Sequence, residues 1–276
     1  GGKSHFIITR EYYLDRLRKL KSAIPDGVNI KVIVYLRRQD SFIESAYYQI
    51  VKGSGIFTGS IQDAVEDLST YMDYDFMLNL WAEAFGKENI LVRAYEKQQL
   101  PNGSVKDFLK ITDLPPDLVD NIITTTNNYN LRLSREILDY KLILNRLLEK
   151  EDLERQHQLH YTYLEKLSEQ PEYNQYKPDL LTPEEKVQLI DRFSQGNSNI
   201  AQNYMGRDNG HLFYETDIAT VKGSPYPGLT VDRAVEIGTR LSFMVIDSYE
   251  EREKYSSRLS IFTNPNLLDA QRLLNF

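Results

Sequence analysis

Hydrophobic spacing along the first third of the chain alternates between two periods. Val28, Ile30, Val32, Ile33, Val34, Tyr35 and Leu36 form a β-branched run that predicts a buried parallel strand. Ahead of it, Tyr13, Leu14, Leu17, Leu20 and Ile24 recur at helical spacing, with Arg16, Arg18, Lys19 and Lys21 opposite, so Glu11–Ile24 predicts an amphipathic helix. His5–Thr9 predicts a short strand, and Pro25, Asp26 and Gly27 a turn. Strand, helix and strand in that order imply a parallel βαβ unit. Helical spacing returns after Arg38 and runs to about Lys52, with Ile43, Ala46 and Ile50 toward a core. Ser41 is the expected N-cap there, and Glu44 three residues on completes a capping-box pattern.

Gly53–Ser60 is a loop rich in Gly and Ser, read either as a connector or as a lid over substrate. Helices are predicted over Ile61–Leu68 and Tyr74–Phe85, the latter closed by Gly86 as C-cap, then a strand over Ile90–Tyr95 and a helix over Ser104–Ile111. Tyr95 and Glu96 then end their strand at the same sheet edge as Arg37. From about Leu131 the pattern is almost wholly helical: Ser134–Lys150, Leu153–Leu167, Thr182–Phe193, Ser198–Met205 and Thr230–Ser257. Thr182, Pro183, Glu184 and Glu185 make a strong helix-start signature. The expected fold class is α/β: a P-loop-like three-layer core with a parallel sheet, plus a large, mainly helical C-terminal portion. The expected division is a nucleotide-binding core over 1–130 and a helical portion over 131–276.

Composition narrows the function classes. The 276 residues include 33 Lys and Arg against 40 Asp and Glu, a net charge of −7, which argues against general nucleic-acid binding but allows a local basic pocket. There are no cysteines, so disulfides, thiolate metal sites and cysteine nucleophiles are excluded. No apolar run approaches the ~20 residues of a membrane helix, and no signal peptide is present; a cytoplasmic location is expected. Nineteen tyrosines accompany one tryptophan. Tyrosine can line a base- or sugar-binding cleft, although most tyrosines pack half-buried with a wet hydroxyl.

The densest chemistry lies where the central strand ends. In an open α/β sheet, ligands sit beyond the carboxyl ends of the strands. A helix N-terminus there favours an anion, and arginines add forked, permanently charged donors suited to phosphate. Arg37 and Arg38 stand at that strand end, and Ser45 lies one turn into the following helix. The three make a candidate phosphate pocket.

YLRRQDSFIESAYYQ, within Val28–Gln49, resembles the 3'-phosphate-binding segment of sulfotransferases, which use 3'-phosphoadenosine 5'-phosphosulfate (PAPS). In that family an arginine at a strand end and a serine eight residues later hold the 3'-phosphate; Arg37 and Ser45 match that spacing, and Arg38 is the reserve. Leu78–Leu109 and, less closely, Gly196–Tyr214 are also similar to bacterial sulfotransferase-like proteins. The likeness covers roughly Phe6–Leu109 and is diffuse beyond. It implies a PAPS co-substrate, no metal, and a hydroxyl acceptor on a carbohydrate or small metabolite. It also implies a base after the strand that precedes the phosphate strand, which falls on Glu11, with Arg10 a sulfate contact and His5 a lesser option. A second basic loop on the 3'-phosphate points to Arg132. The family's 5'-phosphosulfate loop has no counterpart between Gly1 and Phe6, where Gly1, Gly2, Lys3 and Ser4 read as a linker.

Two other readings stay open. One is a non-catalytic binding or assembly module with the same fold, and the other is a P-loop nucleotide phosphotransferase. Glu154, His157 and His160 have a helical spacing that can bind metal but suit a solvated face better. The run Glu250–Lys254 likewise reads as a solvated helical face.

Overall fold

A computed structural model describes residues 9–53, 57–112, 114, 132–148, 162–215 and 225–262, the last fourteen as backbone alone. The protein is a mixed α and β chain dominated by helix. Helix α1 spans Arg10–Ser22, β1 Val32–Leu36, α2 Gln39–Lys52, α3 Ile61–Asp67, α4 Ser69–Met72, α5 Tyr74–Phe85, β2 Ile90–Ala94 and α6 Gly103–Ile111. Beyond them come α7 (Arg135–Leu147), α8 (162–168), α9 (Pro183–Arg192), α10 (Ser194–Met205) and α11 (Val231–Phe262).

The chain forms two compact units. The first holds the described parts of Gly1–Ile50, Thr58–Leu131 and Lys177–Gly223; the second holds those of Val51–Phe57, Arg132–Tyr176 and Ser224–Phe276. The chain therefore crosses between the units repeatedly. Lys177–Gly223 returns to the first unit because α10 supplies Ile200 and Ala201 to the same core as β1 and β2.

In the first unit β1 and β2 pair in parallel, with Val32 opposite Ile90 and Leu36 opposite Ala94. Side chains alternate between the two faces of a strand. On one face Val32, Val34 and Val92 pack with Leu78 of α5 and Ile200 of α10. On the other, the Tyr35 hydroxyl and the Arg93 guanidinium both donate to Asp107 of α6, at 2.6 and 3.3 Å. Helix α1 starts behind Thr9, whose hydroxyl accepts from Tyr12 N, and buries Leu14 and Leu17 against Leu80, Ala84 and Phe85 of α5. Gly86 closes α5 at φ 91°, where a Cβ would also collide with the Glu88 carboxylate. Helix α9 carries the expected reciprocal box: Thr182 accepts from Glu185 N, Glu185 accepts from Thr182 N, and Pro183 occupies the first turn.

The start of α2 departs from expectation. The helix begins at Gln39, and Phe42 N donates to Arg38 O at 2.9 Å, so Ser41 lies inside the helix rather than at its cap. Glu44 is drawn elsewhere: its carboxylate accepts from the backbone amides of Leu180 and Leu181 at 2.8 and 3.1 Å, and Lys186 approaches at 3.4 Å. A buried carboxylate satisfied by two amides and an ammonium outcompetes a local cap.

The second unit is helical. Asn145 of α7 donates to Val51 O and Phe57 O, both at 3.0 Å, and accepts from Lys141. Lys52 pairs with Glu165 at 2.8 Å. These contacts hold Val51, Lys52 and Phe57, while residues 54–56 of the segment expected as a connector or lid lie outside the described residues. Arg233 of α11 joins Glu136 of α7 and Glu236.

Candidate functional site

The first unit contains a cavity of about 680 Å³ along β1. Its walls come from three elements. All five residues of β1 contribute, so it follows the strand edge away from β2. Helix α2 presents Phe42, Ser45, Ala46 and Gln49, one face at helical spacing. Helix α5 presents Tyr74, Met77, Leu78 and Trp81, again one face, and Arg37, Tyr71 and Tyr95 complete the lining.

Arg37 and Ser45 therefore face one space. The Arg37 guanidinium carbon lies 4.8 Å from the centre of the Tyr95 ring. Tyr95 N donates to Leu36 O at 2.6 Å, extending the strand pairing by one residue and setting the ring beside the arginine. The Tyr74 hydroxyl donates to Arg37 O at 2.7 Å. Burial pushes the Tyr74 hydroxyl well above its ordinary range, so it stays a donor across the physiological range. Among the described residues no carboxylate reaches Arg37 within ion-pair distance. The cavity thus offers a guanidinium and a hydroxyl at the strand end and an aromatic, largely apolar body behind them. Such a composition suits an anionic group carried on a flat or apolar frame.

Arg38 is not part of this arrangement. Its Nε and Nη2 donate to the two carboxylate oxygens of Asp40 at 2.8 and 2.9 Å, and Nη1 donates to Glu215 O. The Arg38 and Asp40 side chains are 13% and 4% exposed, and Asp40 raises the arginine's hold on its proton further. A forked pair buried in this way is structural. Of the two adjacent arginines, the second faces a carboxylate and the first faces the cavity. Arg38, expected as the reserve phosphate contact, is thus held by Asp40 and Glu215 and is not among the residues that line the cavity.

Next to Arg38 lies a polar cluster that local sequence reading missed. Glu96 accepts from Tyr214 N at 2.8 Å, Glu215 N at 3.2 Å and Gln99 Nε2 at 2.5 Å. Arg207 donates to Gln99 Oε1 at 2.5 Å and to the carbonyls of His211 and Leu212 at 3.1 Å. This cluster fastens the segment 207–215 to the strand ends. The bonds that join Glu96 and Gln99 to Arg207, Tyr214 and Glu215 span more than a hundred residues, so the Gly196–Tyr214 likeness was the available signal for it.

The remaining candidates stand apart from the cavity lining. Glu11 is exposed in the first turn of α1. Arg10 pairs with Glu83, which Arg18 also reaches at 3.1 Å, so it is occupied in an ion pair. Arg132 is exposed ahead of α7 and belongs to the second unit. His5, Glu154, His157 and His160 lie outside the described residues. Among the described residues no group of three or more His, Asp or Glu is placed to hold a metal ion. No described helix is long and apolar enough to cross a membrane.

Comparison with known proteins gives little functional information. No family model matches the chain. An uncharacterized protein of Archaeoglobus fulgidus is 26% identical over 239 residues, covering 84% of this chain and 62% of the relative. The chain thus spans less than two thirds of the length of that relative. No solved structure matches.

Proposed function

We propose that the first unit binds the adenosine 3'-phosphate part of PAPS in the β1 cavity, as a sulfotransferase-like protein. The observation that carries the reading is that Arg37 and Ser45, eight residues apart, line one cavity while Arg37 has no carboxylate partner among the described residues. In this reading Arg37 and Ser45 hold the phosphate, and the walls of Tyr71, Tyr74, Trp81 and Tyr95 take the nucleoside. We further assign the unit to a P-loop-like three-layer class. The parallel pairing of β1 and β2, with α5 and α10 on one face and α6 on the other, supports that assignment.

Bound PAPS would supply a sulfuryl group for transfer to a hydroxyl of a carbohydrate or small metabolite. The chain's own part is to fix the phosphate end, exclude water along the apolar wall, and accept the acceptor's proton. Glu11 is the proposed proton acceptor.

Equilibrium binding tests the first step. Adenosine 3',5'-bisphosphate should bind more tightly than ATP, and Ser45→Ala should weaken it about threefold to tenfold, the net worth of a typical hydrogen bond. Preference for ATP would instead support a nucleotide phosphotransferase. Transfer of labelled sulfuryl from PAPS to added alcohols, lost in Glu11→Gln, tests the second step. One observation favours a binding module without catalysis: among the described residues no Asp, Glu or His lines the cavity. Tight nucleotide binding with no transfer to any acceptor would establish that version.

A further inference from the structure

The two contacts on Arg37 come from different elements and act on different parts of the residue. Tyr74, at the start of α5, holds its backbone carbonyl. Tyr95, just past β2, lies against its guanidinium. With the backbone fixed, the remaining freedom of Arg37 is rotation of its long side chain. An unpaired arginine would sample many rotamers, and ordering it on ligand binding would offset part of the affinity. A ring face removes that freedom without using any of the five N–H donors, because the attraction is to the quadrupole of the ring. A carboxylate partner would order the side chain too, as Asp40 does for Arg38, but it would consume both the donors and the charge.

We propose that Tyr95 is a positioning residue of the anion site, presetting the Arg37 guanidinium toward the cavity while leaving its hydrogen bonds for an incoming phosphoryl or sulfuryl group. The proposal rests on the reading of Arg37 as the anion contact. It predicts that the ring face matters and the Tyr95 hydroxyl does not. Tyr95 also lines the cavity itself, beside Arg37, rather than acting as a remote support.

Calorimetric titration of the full chain with adenosine 3',5'-bisphosphate, in wild type, Tyr95→Phe, Tyr95→Leu and Arg37→Ala, separates the possibilities. Tyr95→Phe is expected to bind within twofold of wild type. Tyr95→Leu should bind about two- to fivefold more weakly, the range of an exposed cation–π contact. The Leu variant should also depend less on Arg37: combining it with Arg37→Ala should weaken binding no further than Arg37→Ala alone, so the loss caused by Arg37→Ala is smaller in the Leu background than in wild type by the about two- to fivefold that Tyr95→Leu costs. Equal losses in the Phe and Leu variants would assign the effect to the hydroxyl and overturn ring positioning. Tyr95→Leu binding like wild type, with Arg37→Ala impaired, would overturn it as well while leaving Arg37 as the anion contact. Wild type that binds no nucleotide at all would remove the functional reading first.

Discussion

In the second unit Arg233 stands 4.2 Å from the centre of the Tyr173 ring; in the first, Arg37 stands 4.8 Å from that of Tyr95. The stacking is alike and the remaining environment is not. Arg233 donates to both oxygens of Glu136 at 3.0 Å, to Glu236 at 2.7 Å and to Glu172 O at 2.6 Å. Its proton is held more tightly still by Glu136, and Arg233 in turn holds the Glu236 carboxyl below its usual range. Arg37 has its ring and its cavity. Stacking on tyrosine is therefore no mark of a ligand site by itself. What separates the two arginines is how many acceptors are already in place, and a guanidinium with spare donors on a cavity is available for an anion.

The largest expected effect breaks the structural member of this comparison. Arg233→Ala leaves Glu136 buried beside an empty ring face and should lower stability by about 2–4 kcal/mol in denaturant unfolding. Arg37→Ala should lower it by under ~1 kcal/mol, as for a residue outside such a network. Comparable losses in the two variants would make Arg37 structural too. Within the first unit, Glu44→Ala should cost about 1–3 kcal/mol by stranding the Leu180 and Leu181 amides and Lys186, with Glu44→Gln less damaging because one oxygen still accepts.

Lys141 gives a third contrast, a cation in the second unit with an amide rather than a carboxylate as its partner. Burial pushes its ammonium down to about 8, against an ordinary value of 10.5. The folded chain then binds fewer protons than the unfolded chain between those two pH values. Stability from this group therefore rises as pH climbs from about 8 toward 10.5, and below about 8 the buried charge opposes folding in full. Lys141→Met should be more stable than wild type by about 1–2 kcal/mol at pH 7, a gap that narrows above pH 8. A gap independent of pH would show that the amine is solvated. The smallest effect sharpens the comparison inside the site. Asp40→Asn loosens the fork on Arg38 and should raise anion affinity about twofold or less, as a second cation becomes partly available.

What the residues disclosed in advance follows the reach of each interaction. The β-branched run gave β1, and Thr182, Pro183 and Glu185 gave the start of α9, since both signals are local. Arg37 and Ser45 share a cavity because a strand end and the first turns of the next helix are adjacent by construction. Ser41 and Glu44 imitated a capping box, but Glu44 bonds amides 136 and 137 residues away, which no local pattern contains. Arg38 stood as the reserve to Arg37, and Asp40, two residues on, takes its fork. Glu96 and Arg207 needed the return of 177–223 to the first unit, invisible to periodicity. The helical half was legible as helices, while its division between units was not, because helix spacing reports a buried face without saying against what.

The most direct measurement is calorimetric titration of wild type and Arg37→Ala with adenosine 3',5'-bisphosphate at two salt concentrations. Saturable binding is expected in wild type, weakened about tenfold to a hundredfold in Arg37→Ala, with a shallower salt dependence in the variant. Absence of binding in wild type, or equal affinity and salt dependence in both proteins, would contradict Arg37 as the anion contact.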